Sequence, residues 1–326
     1  MNLFVRKSNS IEEKKQITSL LAGSFPGKPE DLAAMFSLIL DAHPDLTTVL
    51  VENDEAELVS ALFLVTGNFE YNSTKFTYCN MSYFATESAY RKGEATALII
   101  KYVTDVIQNE FDLVFGFPRH VMHGYWSRYQ FQELTNSNCA GLRLKKSDLP
   151  SYQGTIFRVA SAKDVSALNR IYSLASANRL IDFKRSLCKW EYLLDISRLH
   201  KLKILVCEES SGEELGYVVI RDDLILEIAC IDGRESQILT QDLLASQGLI
   251  DITISLRGVL PGFSSFLHAL IQAYEEPEMI KEGLWDFMYF CGHKELNEYL
   301  RKSEGSNVIE SNSIFVRSNF TVLDQY

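Results

Sequence analysis

Glu87-Ser-Ala-Tyr-Arg-Lys-Gly-Glu-Ala-Thr96 is the stretch on which the fold turns. Before it, Phe76 to Thr86 is rich in aromatic residues and reads as a strand. After it, Leu98, Ile99, Tyr102, Val103 and Val106 recur at helical spacing, so Ala95 to Asn109 reads as an amphipathic helix. Leu113 to Phe117 then reads as a buried strand closed by Pro118. The stretch is therefore the first corner of a strand–helix–strand crossover, which implies a mixed α/β sheet.

Working outward, Leu3 to Arg6 reads as a short strand, and Ser10 as the cap of a helix that ends near Pro26-Gly27. Glu30 to Ala42 reads as a second helix. Thr47 to Val51 and Leu58 to Val65 read as strands around the polar turn Asn53-Asp54-Glu55. Val121 to Tyr129 reads as helical. Ser147 to Gly154, with Pro150, reads as a linker.

Beyond the linker the plan repeats. Phe4-Val-Arg-Lys-Ser8 is answered by Phe157-Arg-Val-Ala-Ser161, and Ile17-Thr-Ser-Leu20 by Ile171-Tyr-Ser-Leu174. Val49-Leu-Val-Glu52 is answered by Ile204-Leu-Val-Cys-Glu208. The matches keep one order, as a duplicated unit would. Helices are expected over 163–177, 187–196, 235–246 and 263–274. Strands are expected over 156–159, 203–207, 215–220, 224–231, 250–256, 285–290 and 314–316. The expected domains are 1–146 and 155–326, joined by 147–154.

With 326 residues, 46% hydrophobic and 23% charged, each half can bury a core. A formal net charge of −11 argues against nucleic acid as a partner, since phosphate contacts need a Lys/Arg surplus. It mildly favours a cationic substrate. The six cysteines form no CxxC pair and sit mostly in apolar runs, which reads as buried reduced thiols. No apolar run approaches membrane-span length, so no membrane partner is expected. The first residues lack the order of a signal peptide, and a cytoplasmic location is the default expectation.

In the opening stretch, Gly93 stands at the helix start, with small Ala95 and Thr96 behind it. A helix N-terminus offers unpaired N–H donors and the positive end of the helix dipole. Arg91 and Lys92 add charge there. Two readings stand side by side: a phosphate cradle, or a helix-start loop with two solvated cations.

In its order of strand, two helices, three strands, this loop, helix, strand and helix, the chain resembles the GNAT family of acetyl-CoA-dependent N-acetyltransferases. That family marks its cofactor loop with Arg/Gln-x-x-Gly-x-Gly/Ala. Tyr90-Arg-Lys-Gly-Glu-Ala95 matches at Gly93 and Ala95 and departs at Tyr90. The family's Phe-Tyr-x-x-x-Gly-Phe is echoed by Tyr125-Trp-Ser-Arg-Tyr-Gln-Phe131, with Trp126 where the proton-donating tyrosine stands. An indole cannot serve as that acid.

The resemblance implies two tandem GNAT-like domains, each a mostly antiparallel sheet with a central β-α-β crossover, the second degenerate. It implies acetyl-CoA as co-substrate and no metal. The expected cofactor contacts are Phe84, Ala85, Arg91, Lys92, Gly93, Glu94, Ala95 and Thr96. The expected catalytic groups are Tyr125, or else Tyr129, as acid, and Glu87, His120 or His123 as base. The function implied is transfer of an acetyl group to a primary amine of a small molecule or peptide. Transfer of a longer acyl or an aminoacyl group, or a ligand-binding scaffold without turnover, are the alternatives. A homodimer stays open. In the second copy the loop is Cys230-Ile-Asp-Gly-Arg-Glu-Ser236, where Asp232 would repel a pyrophosphate. In some tandem relatives of that family the C-terminal carboxylate reaches the active site, and the corresponding residues here are Asp324-Gln-Tyr326.

Overall fold

The structure is a computed structural model that describes residues 3–8, 13–43, 45–71, 73–91, 93–116, 118, 123–133, 140–152, 154–177, 182–231, 233–255, 266, 278–281 and 288–302. The chain divides into two compact units. Unit 1 comprises Met1–Phe69, Thr74–Leu134 and Trp285–Arg301. Unit 2 comprises Glu70–Ser73, Thr135–Leu284 and Lys302–Tyr326.

Unit 1 opens with β1 (Leu3–Ser8), α1 (Lys14–Ser24), α2 (Pro29–Ala42), β2 (Leu46–Asn53), β3 (Leu58–Tyr71) and β4 (Thr74–Thr86). The loop and α3 (Glu94–Tyr102) follow, and a π-helical turn (Val103–Ile107) leads into α4 (Gln108–Glu110). Next come β5 (Leu113–Gly116), α5 (His123–Ser127) and β6 (Gln132–Glu133). The sheet runs β1-β2-β3-β4-β5, then a strand from the far end of the sequence, then β6. Neighbours β1/β2 and β2/β3 are antiparallel, and β4/β5 are parallel, as the crossover predicts. Val49, Val51, Leu62, Leu64, Cys79, Met81 and Val114 of the sheet meet Ala95, Ile99, Ile100 and Val103 of the helix in one buried cluster. That cluster is the apolar face the sequence pattern describes.

Unit 2 contains β7 (Ala140–Lys145), β8 (Thr155–Val159), α6 (Val165–Ser176), β9 (Asp182–Phe183), α7 (Leu187–Leu199), β10 (Lys203–Glu209), β11 (Glu214–Arg221) and β12 (Leu224–Cys230). It continues with α8 (Glu235–Ile238), α9 (Gln241–Gln247), β13 (Asp251–Ser255) and β14 (Glu278–Lys281). β15 (Met288–Cys291) and α10 (Lys294–Lys302) end the described chain. The second sheet runs β14-β7-β13-β12-β11-β10-β8. β12 and β13 are its parallel pair, and β10/β11 and β11/β12 are antiparallel.

The expected linear boundary at 147–154 is crossed in both directions. β7, expected in the first domain, pairs antiparallel with β13 and β14. β15, expected in the second, pairs antiparallel with β5 and β6. A second correction concerns the helix expected over 235–246. It breaks at Thr240, whose hydroxyl accepts from Leu243 N–H at 3.4 Å and starts a separate helix. The helix expected over 263–274 and the strand at 314–316 lie outside the described residues, apart from Phe266.

The repeat is written into the side chains more clearly than into the sequence. Arg6 on β1 binds Glu52 on β2 at 2.6 Å and also Glu13, whose carboxylate is bonded by Ser8. Arg158 on β8 binds Glu208 on β10, and Asp164 at 2.7 and 2.8 Å, and Ser161 bonds Asp164 at 2.9 Å. Each triad ties an edge strand to its neighbour in the sheet and to the N-cap of the helix that follows. In the second, Arg158 is the first cause that holds the Asp164 carboxyl down at about 2.

Candidate active site

The loop residues meet the end of β4. Ladder pairing of β4 with β5 runs from Tyr78↔Leu113 to Met81↔Gly116. A Cβ on Gly116 would lie 3.1 Å from the Met81 carbonyl oxygen, so glycine allows this last close approach. Beyond it, Ser82 to Thr86 continue β4 with no β5 residue paired to them among the described residues. Among the described residues the parallel ladder ends at Met81↔Gly116.

Tyr83, two residues past that last described pair, has φ +50°. Left-handed backbone at an aromatic residue costs on the order of 1–3 kcal/mol and marks a place where the strand is distorted. Its consequence is visible in the rings. Cys79 and Met81 face the α3 cluster. Regular alternation would send Tyr83 to the same side. Instead its ring packs edge-on against Phe36 and Phe63, at 5.3 and 5.9 Å, and against Phe25 at 6.0 Å. Phe84 then packs on the cluster side, 6.3 Å from the Trp126 ring. The alternation has slipped by one residue, as it does at a bulge, which takes backbone groups out of the ladder.

The end of β4 is fixed tightly. Ser60 Oγ donates to the Ala85 carbonyl at 2.8 Å and lies 2.8 Å from Thr86 Oγ1, which is 3.3 Å from Thr96 Oγ1. Arg91 Nε donates to the Thr86 carbonyl at 2.9 Å. Arg91 is thus an anchor of the turn, a role the sequence reading did not assign. Tyr90, where the family pattern has Arg or Gln, is half-buried, and its hydroxyl accepts from Asn53 Nδ2 at 3.4 Å.

Gly93 caps α3 with extended backbone (φ −112°, ψ −159°) and no side-chain cap on the helix. Its conformation suits any residue, and among the described residues an added Cβ would meet only the Tyr90 carbonyl, at 3.4 Å. The fold does not require glycine there, whereas a bare approach to the first N–H groups of Glu94, Ala95 and Thr96 does. Gly93 and Glu94 are exposed, Thr96 is half-buried, and Ala95 is fully buried against the sheet. Lys92 lies outside the described residues.

Trp126 is 6% exposed and contacts the rings of Phe84, Tyr125 and Phe131. It is a core residue, which accounts for an indole in this position. Phe84, Trp126 and Tyr125 form one line of ring contacts between β4 and α5. Tyr125 is half-buried, and burial, followed by Tyr129, pushes its phenol up to about 12. It is a protonated donor throughout the range in which an enzyme is assayed. Glu87 is exposed, and its backbone N–H donates to the Val59 carbonyl at 2.9 Å. The His123 side chain, His120 and the C-terminal residues lie outside the described residues. No group of three metal-ligating side chains occurs among the described residues, and no described helix is long and apolar enough to cross a membrane.

In unit 2 the corresponding loop is filled by the chain itself. Gly233 has φ +80°, and its N–H donates to the Glu235 carboxylate at 3.2 Å. The helix that follows is only Glu235–Ile238. Asp232 lies outside the described residues.

These two mostly antiparallel sheets, each with one parallel pair, define a tandem GNAT-like fold. A GCN5-related N-acetyltransferase from Kribbella flavida is similar at TM-score 0.61 and 14% identity, covering 89% of this chain and 71% of that one. Another from Anabaena variabilis is similar at TM-score 0.61 and 12% identity, covering 89% and 74%. Saccharomyces cerevisiae N-myristoyltransferase with bound myristoylCoA is similar at TM-score 0.52 and 9% identity, covering 88% and 82%. No protein-family profile and no curated protein sequence matches the chain.

Proposed function

We propose that unit 1 is an acetyl-CoA-dependent N-acetyltransferase that acts on a primary amine of a small molecule or peptide. The observation that carries this reading is the distorted end of β4, past its last described pair with β5 at Met81↔Gly116, together with the uncapped start of α3 at the end of the β4 loop. The N-acetyltransferases among its structural neighbours support the same class.

Bound acetyl-CoA would supply an activated thioester. The residues divide the remaining work. N–H groups of Glu94 to Thr96 hold the pyrophosphate, and the turn tied by Arg91 keeps them in place. Backbone N–H groups at Phe84 or Ala85, beyond the distorted Tyr83, stabilise negative charge on the thioester oxygen. As the C–S bond breaks, the Tyr125 hydroxyl gives its proton to the departing sulfur, and the proton shed by the new amide nitrogen returns to the phenolate through water. Exposed Glu87 removes a proton from the incoming ammonium through water. Unit 2, with Glu235 on its loop amide, plays no part in donor binding.

Calorimetric titration tests the reading. Acetyl-CoA is expected to bind at one site per chain, and more tightly than myristoyl-CoA. Two equal sites, or preference for the long acyl chain, would reverse it.

A further inference from the structure

Unit 2 contains a buried charged cluster for which acyl transfer in unit 1 has no use. Glu227 on β12 is 0% exposed, and Arg185, in the segment before α7, is 8% exposed. The two form a bidentate pair, Nη1 to Oε1 at 2.7 Å and Nη2 to Oε2 at 2.9 Å. Tyr217 on β11 donates its hydroxyl to Glu227 Oε1 at 2.6 Å. The guanidinium carbon lies 4.1 Å from the Tyr172 ring centre and 5.2 Å from that of Trp190. Trp190 packs edge-on to Tyr172 and to Tyr217, at 6.0 and 5.4 Å. Its indole N–H is buried with no hydrogen-bond partner among the described residues.

Core stability alone is a weak reason for such a cluster. Burying two charges costs several kcal/mol each, and an apolar replacement of equal volume is often no less stable. The arrangement has instead the parts of a cation-recognition site: a planar carboxylate, a phenol that orients it, and aromatic faces around the charge. Burial pushes the Tyr217 phenol well above its ordinary value, so it donates at any working pH. The four receiving groups stand on α6, α7, β11 and β12, whereas the cation comes from outside those elements.

We propose that unit 2 holds a preformed site for a guanidinium or alkylammonium ion, and that Arg185 fills it as an intramolecular ligand. An external amine is thereby shut out of unit 2. The proposal stands independently of any acyl transfer in unit 1.

The test exchanges the built-in ligand for a free one. In R185G, methylguanidinium chloride at about 10 mM should raise the melting temperature by several degrees in a saturable way, relative to equal sodium chloride. Wild type and R185G/E227Q should show no such difference. Equal melting of R185G in the two salts would overturn the proposal. So would an R185G chain that fails to fold in both salts while the apolar pair R185M/E227L folds, because a site carried by regular elements keeps its shape without its ligand.

Discussion

Replacing Gly93 by glutamate is expected to weaken acetyl-CoA binding by about a hundredfold, equivalent to about 2.7 kcal/mol, with little change in melting temperature. Both halves of that expectation follow from the backbone. At φ −112° and ψ −159° any side chain is accommodated, and the nearest atom to a new Cβ is the Tyr90 carbonyl oxygen at 3.4 Å. An exposed substitution of this kind changes stability by about 0.5 kcal/mol or less. The new carboxylate, however, would stand where a pyrophosphate must approach the first N–H groups of α3. Unit 2 already shows such an arrangement, since Glu235 accepts from its own loop amide at Gly233. Titration of G93E beside wild type reads the effect. Unchanged affinity in G93E would move the donor site away from α3.

The second large effect is expected at Tyr125. Y125F should lower kcat by about a hundredfold while leaving acetyl-CoA affinity unchanged, the pattern of a lost proton donor. The phenol, pushed up to about 12 by its surroundings, stays protonated as pH rises through the usual assay range. Its own ionisation therefore puts no falling basic limb on the wild-type rate. A kcat that survives in Y125F, or a basic limb near pH 10 that vanishes with the substitution, would contradict this role.

Much of the fold was legible because it is local. The Phe76–Thr86 strand, the helix beginning at Gly93 and the Leu113 strand are set by periodicity and by one glycine, and the structure has all three. Strand partners are another matter. In Ala140-Gly-Leu-Arg-Leu-Lys145, Leu142 and Leu144 are buried and Arg143 and Lys145 are not, an alternation of period two that was there to be seen. Nothing in that alternation says which sheet the strand joins, because pairing is decided by contacts distant in sequence. The sheet membership of β7 and β15 was invisible for that reason. The break at Thr240 did have a local signal, a threonine followed by Gln241-Asp242, which the longer apolar run of the helix hid.

The site was legible to the same depth. Gly93 and Ala95 mark the helix start in sequence, and both lie there. Tyr83 could not be found, since two adjacent aromatics in a strand normally face opposite sides and give no hint that alternation has slipped. The Arg6 and Arg158 triads were missed because their carboxylates come from different elements, and only folding gathers them. The Arg185 cluster was missed for the same reason: its parts are spread from Tyr172 to Glu227 and share no motif.

The central claim is that unit 1 transfers an acetyl group to an amine. The most direct measurement is release of free CoA thiol from acetyl-CoA across a panel of primary amines and amino-terminal peptides. The account predicts amine-dependent release with at least one acceptor, in wild type and in R185G, and its loss in G93E. No release above the rate without amine across the whole panel, together with a melting temperature unmoved by acetyl-CoA at about millimolar concentration, would contradict it.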